Sequence, residues 1–218
     1  MTPLKLSGPM LPPKSGRAAK QLMVLLHGYG ADGRDLIGLG GEWRDDYPDM
    51  LFVSPNAPWP CARNPGGFEW FPVNDPPVES FRREGADRAR PVIVNFLMDL
   101  WAQTGLSARD TVLCGFSQGA MMALHTGLSL DHEVRAIVAF SGALIPPPGK
   151  WSKPPVALIH GDMDGVVPVQ MSRDAETALR QAGVDVRLFI EPGTGHGIAP
   201  DGLGAAAGFL HEVLPRQA

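Results

Sequence analysis

The chain has 218 residues, the length of one domain, and its 44% hydrophobic and 19% charged side chains allow a sizeable core without disulfide or metal staples. Its 19 basic and 23 acidic residues give a formal charge of −4, and no run of Lys or Arg is long enough to track phosphates, so nucleic acid is not an expected partner. No stretch of 18 apolar residues occurs, so no helical membrane span is expected. The two cysteines, Cys61 and Cys114, lack metal or redox spacing and fit a reducing, cytoplasmic compartment.

In chain order, residues 1–20 carry Pro3, Pro9, Pro12 and Pro13 and do not resemble a signal peptide; they read as an edge hairpin or an arm. A buried strand is expected at 22–27, followed by His27-Gly28-Tyr29-Gly30, and a second at 51–54. The loop 55–77 holds four aromatics, Trp59, Phe68, Trp70 and Phe71. They are candidate walls of an apolar acyl groove; alternatively they pack the loop down. Residues 79–90 alternate in charge and read as a solvated face. Ile93, Phe96, Leu97, Leu100 and Trp101 then form a helical stripe that stops before Gly105, with Pro91 starting or kinking the helix.

A strand at 111–116 leads into an almost wholly apolar helix at 118–130, whose methionines read as core filler. Strands at 134–140, 156–160 and 186–190 alternate with helices beginning after Pro168 and near Ala206. Pro146, Pro147 and Pro148 lie in a connection too short for a cap domain, so the site should be open. The rhythm is that of one domain spanning 1–218: an α/β architecture with a mostly parallel central sheet and helices on both faces.

Gly115-Phe116-Ser117-Gln118-Gly119 falls where a buried strand meets a helix. A nucleophile elbow there strains the serine backbone to expose its hydroxyl, and the flanking glycines let strand and helix cross closely. A serine hydroxyl is a poor nucleophile near neutral pH, so it needs a base and a group that orients the base. Downstream, His160-Gly161-Asp162-Met163-Asp164 and Gly193-Thr194-Gly195-His196-Gly197 each follow the C-terminal end of a strand, where open α/β sheets bind ligands. Of the six histidines only His196 lies in a Gly-rich loop at the right place. Asp164 is the preferred acid; Asp162 is the alternative, or caps the turn. Backbone amides of Gln118 and Tyr29 are the candidate oxyanion donors.

Together with Pro55-Asn56-Ala57-Pro58, Trp70-Phe71 and Val167-Pro168, these motifs resemble the phospholipase/carboxylesterase family, in order from about 22 to 214. The resemblance implies an α/β-hydrolase fold, a Ser117, Asp164, His196 triad, no metal and no cofactor. It implies hydrolysis of short- to medium-chain carboxylic esters, with lysophospholipids or acyl thioesters as alternative substrates, and makes a homodimer plausible. A catalytically silent binding protein is the non-enzymatic alternative. Tyr29 departs from the leucine usual in the thioesterase branch, and the loop after Trp59 looks more like the bacterial carboxylesterases.

Overall fold

The computed structural model describes residues 5–73 and 78–214. Seven strands form one sheet: β1 (Met10–Leu11), β2 (Gln21–Leu26), β3 (Met50–Val53), β6 (Thr111–Phe116), β7 (Ala136–Phe140), β8 (Val156–Gly161) and β9 (Val186–Glu191). Their order is β1-β3-β2-β6-β7-β8-β9, with β1 antiparallel to β3 and every other pairing parallel. A separate two-stranded hairpin joins β4 (Trp59–Pro60) to β5 (Phe68–Glu69).

Side chains of successive strand residues point to opposite faces, and both faces are apolar here, which is why these strands are buried on both sides. Leu22, Val24, Leu26, Leu113, Ile137 and Leu158 pack under α2 (Glu79–Thr104), α3 (Gln118–Gly127) and α4 (Gln170–Gln181) through Ile93, Leu97, Met122, Ala123, Ala175 and Leu179. Met23, Leu25, Phe52, Cys114, Val138 and Ile159 face the other way, against Leu36 and Trp43 of α1 (Gly33–Trp43) and Phe209 and Leu210 of α5 (Pro200–Val213).

The six strands expected from the sequence all form, and of the segment 1–20, expected as a hairpin or arm, Met10–Leu11 make an edge strand, β1, while residues 1–4 lie outside the described residues. Residues 79–90 are not merely a solvated stretch: they are the first half of α2, and Ala86 and Ala89 are buried. Pro91 therefore lies inside that helix and does not start it. The helix α1 has no counterpart in the sequence reading because Gly38, Gly40 and Gly41 dilute its apolar stripe. Gly40 is needed there, since a Cβ would run into the ring of Phe52. Asp32 caps α1 by accepting the Arg34 amide at 2.7 Å. The connection 141–155 contains no helix or strand, and no cap covers the sheet edge at that point.

Candidate active site

Ser117 sits between β6 and α3 with φ 53° and ψ −117°, a left-handed region that side chains rarely occupy. Its own amide donates to the Phe140 carbonyl at 2.8 Å, and its carbonyl accepts the Met121 amide at 3.1 Å, so the strained backbone is held from strand and helix. A methyl group on Gly119 would overlap the Leu26 carbonyl, and one on Gly115 would overlap the Gly119 carbonyl. Both glycines of the elbow are thus explained by crowding, as expected.

The two downstream loops converge on this serine. His196 places Nε2 3.0 Å from Ser117 Oγ and Nδ1 2.7 Å from Asp164 Oδ2. A carboxylate oxygen accepts, so Nδ1 carries the proton and Nε2 offers its lone pair to the hydroxyl. The Phe116 ring packs against the imidazole with centroids 4.9 Å apart. Asp164 is 8% exposed, and its Oδ1 accepts the Val166 and Val167 amides at 2.8 Å each. Burial pushes its carboxyl up, but the His196 imidazole and the Val167 and Val166 amides together outweigh that and hold it below its ordinary value.

Asp162, the alternative acid, points elsewhere: its Oδ1 accepts the Gly193 amide at 2.7 Å and so ties the histidine loop to the acid loop. The same junction is closed by Asp162 N to Glu191 O and Met163 N to Thr194 O, both at 3.0 Å. Two supporting residues were given no role in the sequence reading. His160 donates through Nε2 to the Val167 carbonyl at 2.8 Å, lies 3.2 Å from Asp164 Oδ2, and accepts at Nδ1 from Ser172 Oγ at 2.7 Å. Ser141, with φ 48°, reaches the Gly197 carbonyl at 3.5 Å. Ser141 lies 56 positions from Gly197, and although His160 is only four and seven residues from Asp164 and Val167, nothing in the motif says which way its ring turns.

The loop 27–31 lies against the elbow: a Cβ on Gly28 would stand 3.6 Å from Ser117 Cβ. Among the described residues, the amides of Tyr29 and Gln118 donate to no protein acceptor, while the Gly30 amide is taken by Phe68 O at 2.9 Å. Both amides thus remain candidate donors to a developing oxyanion. The Tyr29 phenol turns toward Cys61 and Glu69; burial first, then these two groups, raise its pKa.

The aromatic loop departs from one expectation. Trp70 and Phe71 are 0% and 2% exposed and do not wall a groove. Instead Gln118 Oε1 accepts the Trp70 amide at 2.8 Å, Gln118 Nε2 donates to Phe71 O at 2.7 Å, and Trp70 Nε1 donates to His27 O at 2.9 Å. Buried backbone polar groups must find partners, and the elbow glutamine supplies them. Trp59 and Phe68 are half-buried in the hairpin, with the Arg88 guanidinium 4.6 Å above the Trp59 ring. A cavity of about 570 Å³ opens elsewhere, between Met121, Ala143, Ile145, Val167 and Met171, with Arg82 and Arg83 at its rim. Two of its lining residues are tied to the triad: the Met121 amide donates to the Ser117 carbonyl, and the Val167 amide donates to Asp164. Among the described residues no three His, Cys, Asp or Glu side chains converge as a metal site.

A strained serine on a strand-to-helix elbow, relayed through histidine to a buried carboxylate, defines a serine hydrolase of the α/β-hydrolase class. Comparison with known proteins makes the class particular: the phospholipase/carboxylesterase profile matches residues 13–214, and the chain belongs to that family. It is similar to Esterase YpfH of Escherichia coli, 31% identical over 201 residues that cover 92% of this chain and 86% of the relative. Acyl-protein thioesterase 1 of Neurospora crassa is 28% identical, with 96% of this chain and 93% of the relative covered. The crystal structure of esterase PE8 superposes with a TM-score of 0.92 at 58% identity, over 96% of this chain and 100% of that one.

Proposed function

We propose that this serine hydrolase is a carboxylesterase of short- to medium-chain esters that works through an acyl-enzyme on Ser117, with His196 as base, Asp164 as its orienting acid, and the Tyr29 and Gln118 amides as oxyanion hole. The observation that carries the reading is the relay of 2.7 Å from Asp164 to His196 and 3.0 Å from His196 to Ser117. Ser117 Oγ attacks the ester carbonyl while its proton passes to His196 Nε2; the carbonyl π pair moves onto oxygen, between the two amides. Collapse of this intermediate expels the alkoxide, which takes the proton from His196 Nε2 and leaves as alcohol. Water then attacks the acyl-enzyme through the same base, releasing the acid and restoring the serine.

The choice of short and medium acyl chains rests on the family resemblance; the cavity beside Met121 and Val167, about 570 Å³, is in the ordinary range for small-molecule sites and offers room for an acyl chain. A reducing, cytoplasmic setting is supported by Cys61 and Cys114, both free and buried. The homodimer rests on family resemblance, and a monomer's mass in light scattering rules it out. No helix among the described residues is long and apolar enough to cross a membrane.

Turnover of p-nitrophenyl butyrate tests the mechanism. Ser117→Ala is expected to lose more than about a hundredfold in kcat, with a native circular dichroism spectrum, and to lose labelling by a fluorophosphonate probe. Unchanged turnover in that variant sinks the reading. A series of p-nitrophenyl esters from two to sixteen carbons, run beside an acyl-CoA and a lysophospholipid, assigns acyl length and leaving group.

A further inference from the structure

We propose that His27 is a positioning residue that aims the Tyr29 amide at the oxyanion. The inference rests on the reading of Ser117 as nucleophile and goes beyond it, because His27 touches no reacting atom.

The imidazole of His27 is wholly buried and makes two backbone contacts with opposite demands. Its Nε2 lies 2.9 Å from the Ala57 amide, which can only donate, so Nε2 must be the accepting nitrogen. Its Nδ1 lies 2.7 Å from the Gly28 carbonyl, which can only accept, so Nδ1 must carry the proton. The ring is therefore neutral, in the Nδ1–H tautomer, and burial, which lowers its pKa, favours the same state.

The consequence lies one bond further on. The Gly28 carbonyl and the Tyr29 N–H belong to one peptide unit, which is planar and trans, so the two groups point in opposite directions. Fixing the carbonyl oxygen fixes the direction of the N–H. The His27 Nδ1–H and the Ala31 amide, at 3.2 Å, both bind the Gly28 oxygen, and Gly28 itself lies against Ser117. Glycine has little backbone preference of its own, so without these bonds the 28–29 peptide is free to rotate and carry its N–H off target. His27 is held in turn by Trp70, whose Nε1 binds the His27 carbonyl at 2.9 Å and whose ring stands 5.5 Å from the imidazole. A histidine suits this place because it can donate at one ring position and accept at the other from a fixed plane.

Two substitutions separate the contacts. In His27→Asn the amide nitrogen can occupy the place of Nδ1 and still donate to Gly28 O; in His27→Gln the amide oxygen can occupy the place of Nε2 and still accept from Ala57. Each enzyme is assayed per active site titrated with a fluorophosphonate, on an ester and on the matching thionoester, whose sulfur is a poor acceptor in an oxyanion hole. One oxyanion donor is worth about 10²–10³ in kcat. His27→Gln is therefore expected to lose at least about tenfold in kcat on the ester, with KM within about threefold and a smaller loss on the thionoester, so that the ester-to-thionoester ratio shrinks about tenfold. His27→Asn should stay within about fivefold of the parent on both substrates.

Equal losses on both substrates, or a glutamine variant as active as the asparagine one, overturn the proposal. If neither variant folds, the nitrogen-15 spectrum of the parent decides: a proton on His27 Nδ1 and none on Nε2 at pH 7 supports it, and the reverse ends it. Failure of Ser117 to take the probe in the parent enzyme sinks the underlying mechanism instead, so the two failures are distinguishable.

Discussion

Two aspartates stand two positions apart in one turn, and their surroundings assign them different roles. Asp164 accepts from two amides and faces Nδ1 of His196, whereas Asp162 binds the Gly193 amide and bridges two loops. Asp164→Asn keeps the shape but favours the wrong imidazole tautomer, and kcat is expected to fall by about 10⁴, measured on p-nitrophenyl butyrate. Asp162→Ala removes one loop bond and should cost roughly tenfold in the same assay, the equivalent of about 1.4 kcal/mol. A larger loss at Asp162 than at Asp164 would reverse the assignment. Ser117 and His196 were legible in the sequence because each needs a local glycine pattern that few other structures need. Trp70 and Phe71 were not legible in the same way. An aromatic residue in a long loop reads identically whether its ring faces a ligand or the core, and the partner that settles the matter, Gln118, lies 48 and 47 positions away.

Between elements, the site depends on the loop after β8 meeting the loop after β9. Gly161, the last residue of β8, touches the histidine loop so closely that an added Cβ would overlap the Thr194 carbonyl. Gly161→Ala is expected to push His196 away from Asp164, lowering kcat by about 10²-fold, since displacements near 1 Å cost that much, and to lower the thermal midpoint as well, because the new Cβ meets backbone that must shift. Activity retained in this variant would mean that the loop yields without consequence. Helix α2 carries a different lesson. Pro91 should break a helix, yet Ala86, Ala89, Ile93, Leu97 and Leu100 are buried along one continuous face on both sides of it. Burial of that face overrides the missing N–H. Pro91→Ala, at an exposed position, should therefore raise stability by about 1–3 kcal/mol in urea unfolding, with kcat unchanged. The long helices and buried strands were legible as periodic apolar runs. The β4–β5 hairpin was hidden because two-residue strands carry no period, and α1 because Gly38, Gly40 and Gly41 interrupt its apolar stripe, of which Gly40 is the one that packs closely against Phe52 of β3.

At the scale of the whole molecule, the topology and the chain order of the triad could be read from the alternation of strands and helices, but the ionic ties between distant segments could not. Asp49 is such a tie. Its side chain is wholly buried where the chain enters β3, and it binds Arg17 Nη2 and Lys20 Nζ, both at 2.9 Å, pinning the proline-rich N-terminal segment to the sheet. Its carboxyl is held down to about 2 by Ser15 and Lys20, with Arg17 adding to them against the cost of burial. An acid whose folded pKa lies below its unfolded value of 3.8 binds fewer protons when folded, so it stabilises the protein at higher pH. That contribution is complete above about pH 4, shrinks as pH falls, and is gone below about pH 2. Asp49→Asn should therefore have a lower urea midpoint than the parent at pH 7, by a constant gap down to about pH 4, and the gap should close as pH approaches 2. Because Arg17 and Lys20 are about 60% exposed, 1 M salt should narrow the gap at pH 7. His27 acts on a separate window: buried and neutral, with a lowered pKa, it supports the fold fully above about pH 6.5 and withdraws that support below it, in parent and variant alike. The difference between the two proteins thus isolates Asp49, and a gap that persists unchanged at pH 2 would show that the aspartate acts through packing and not through its charge.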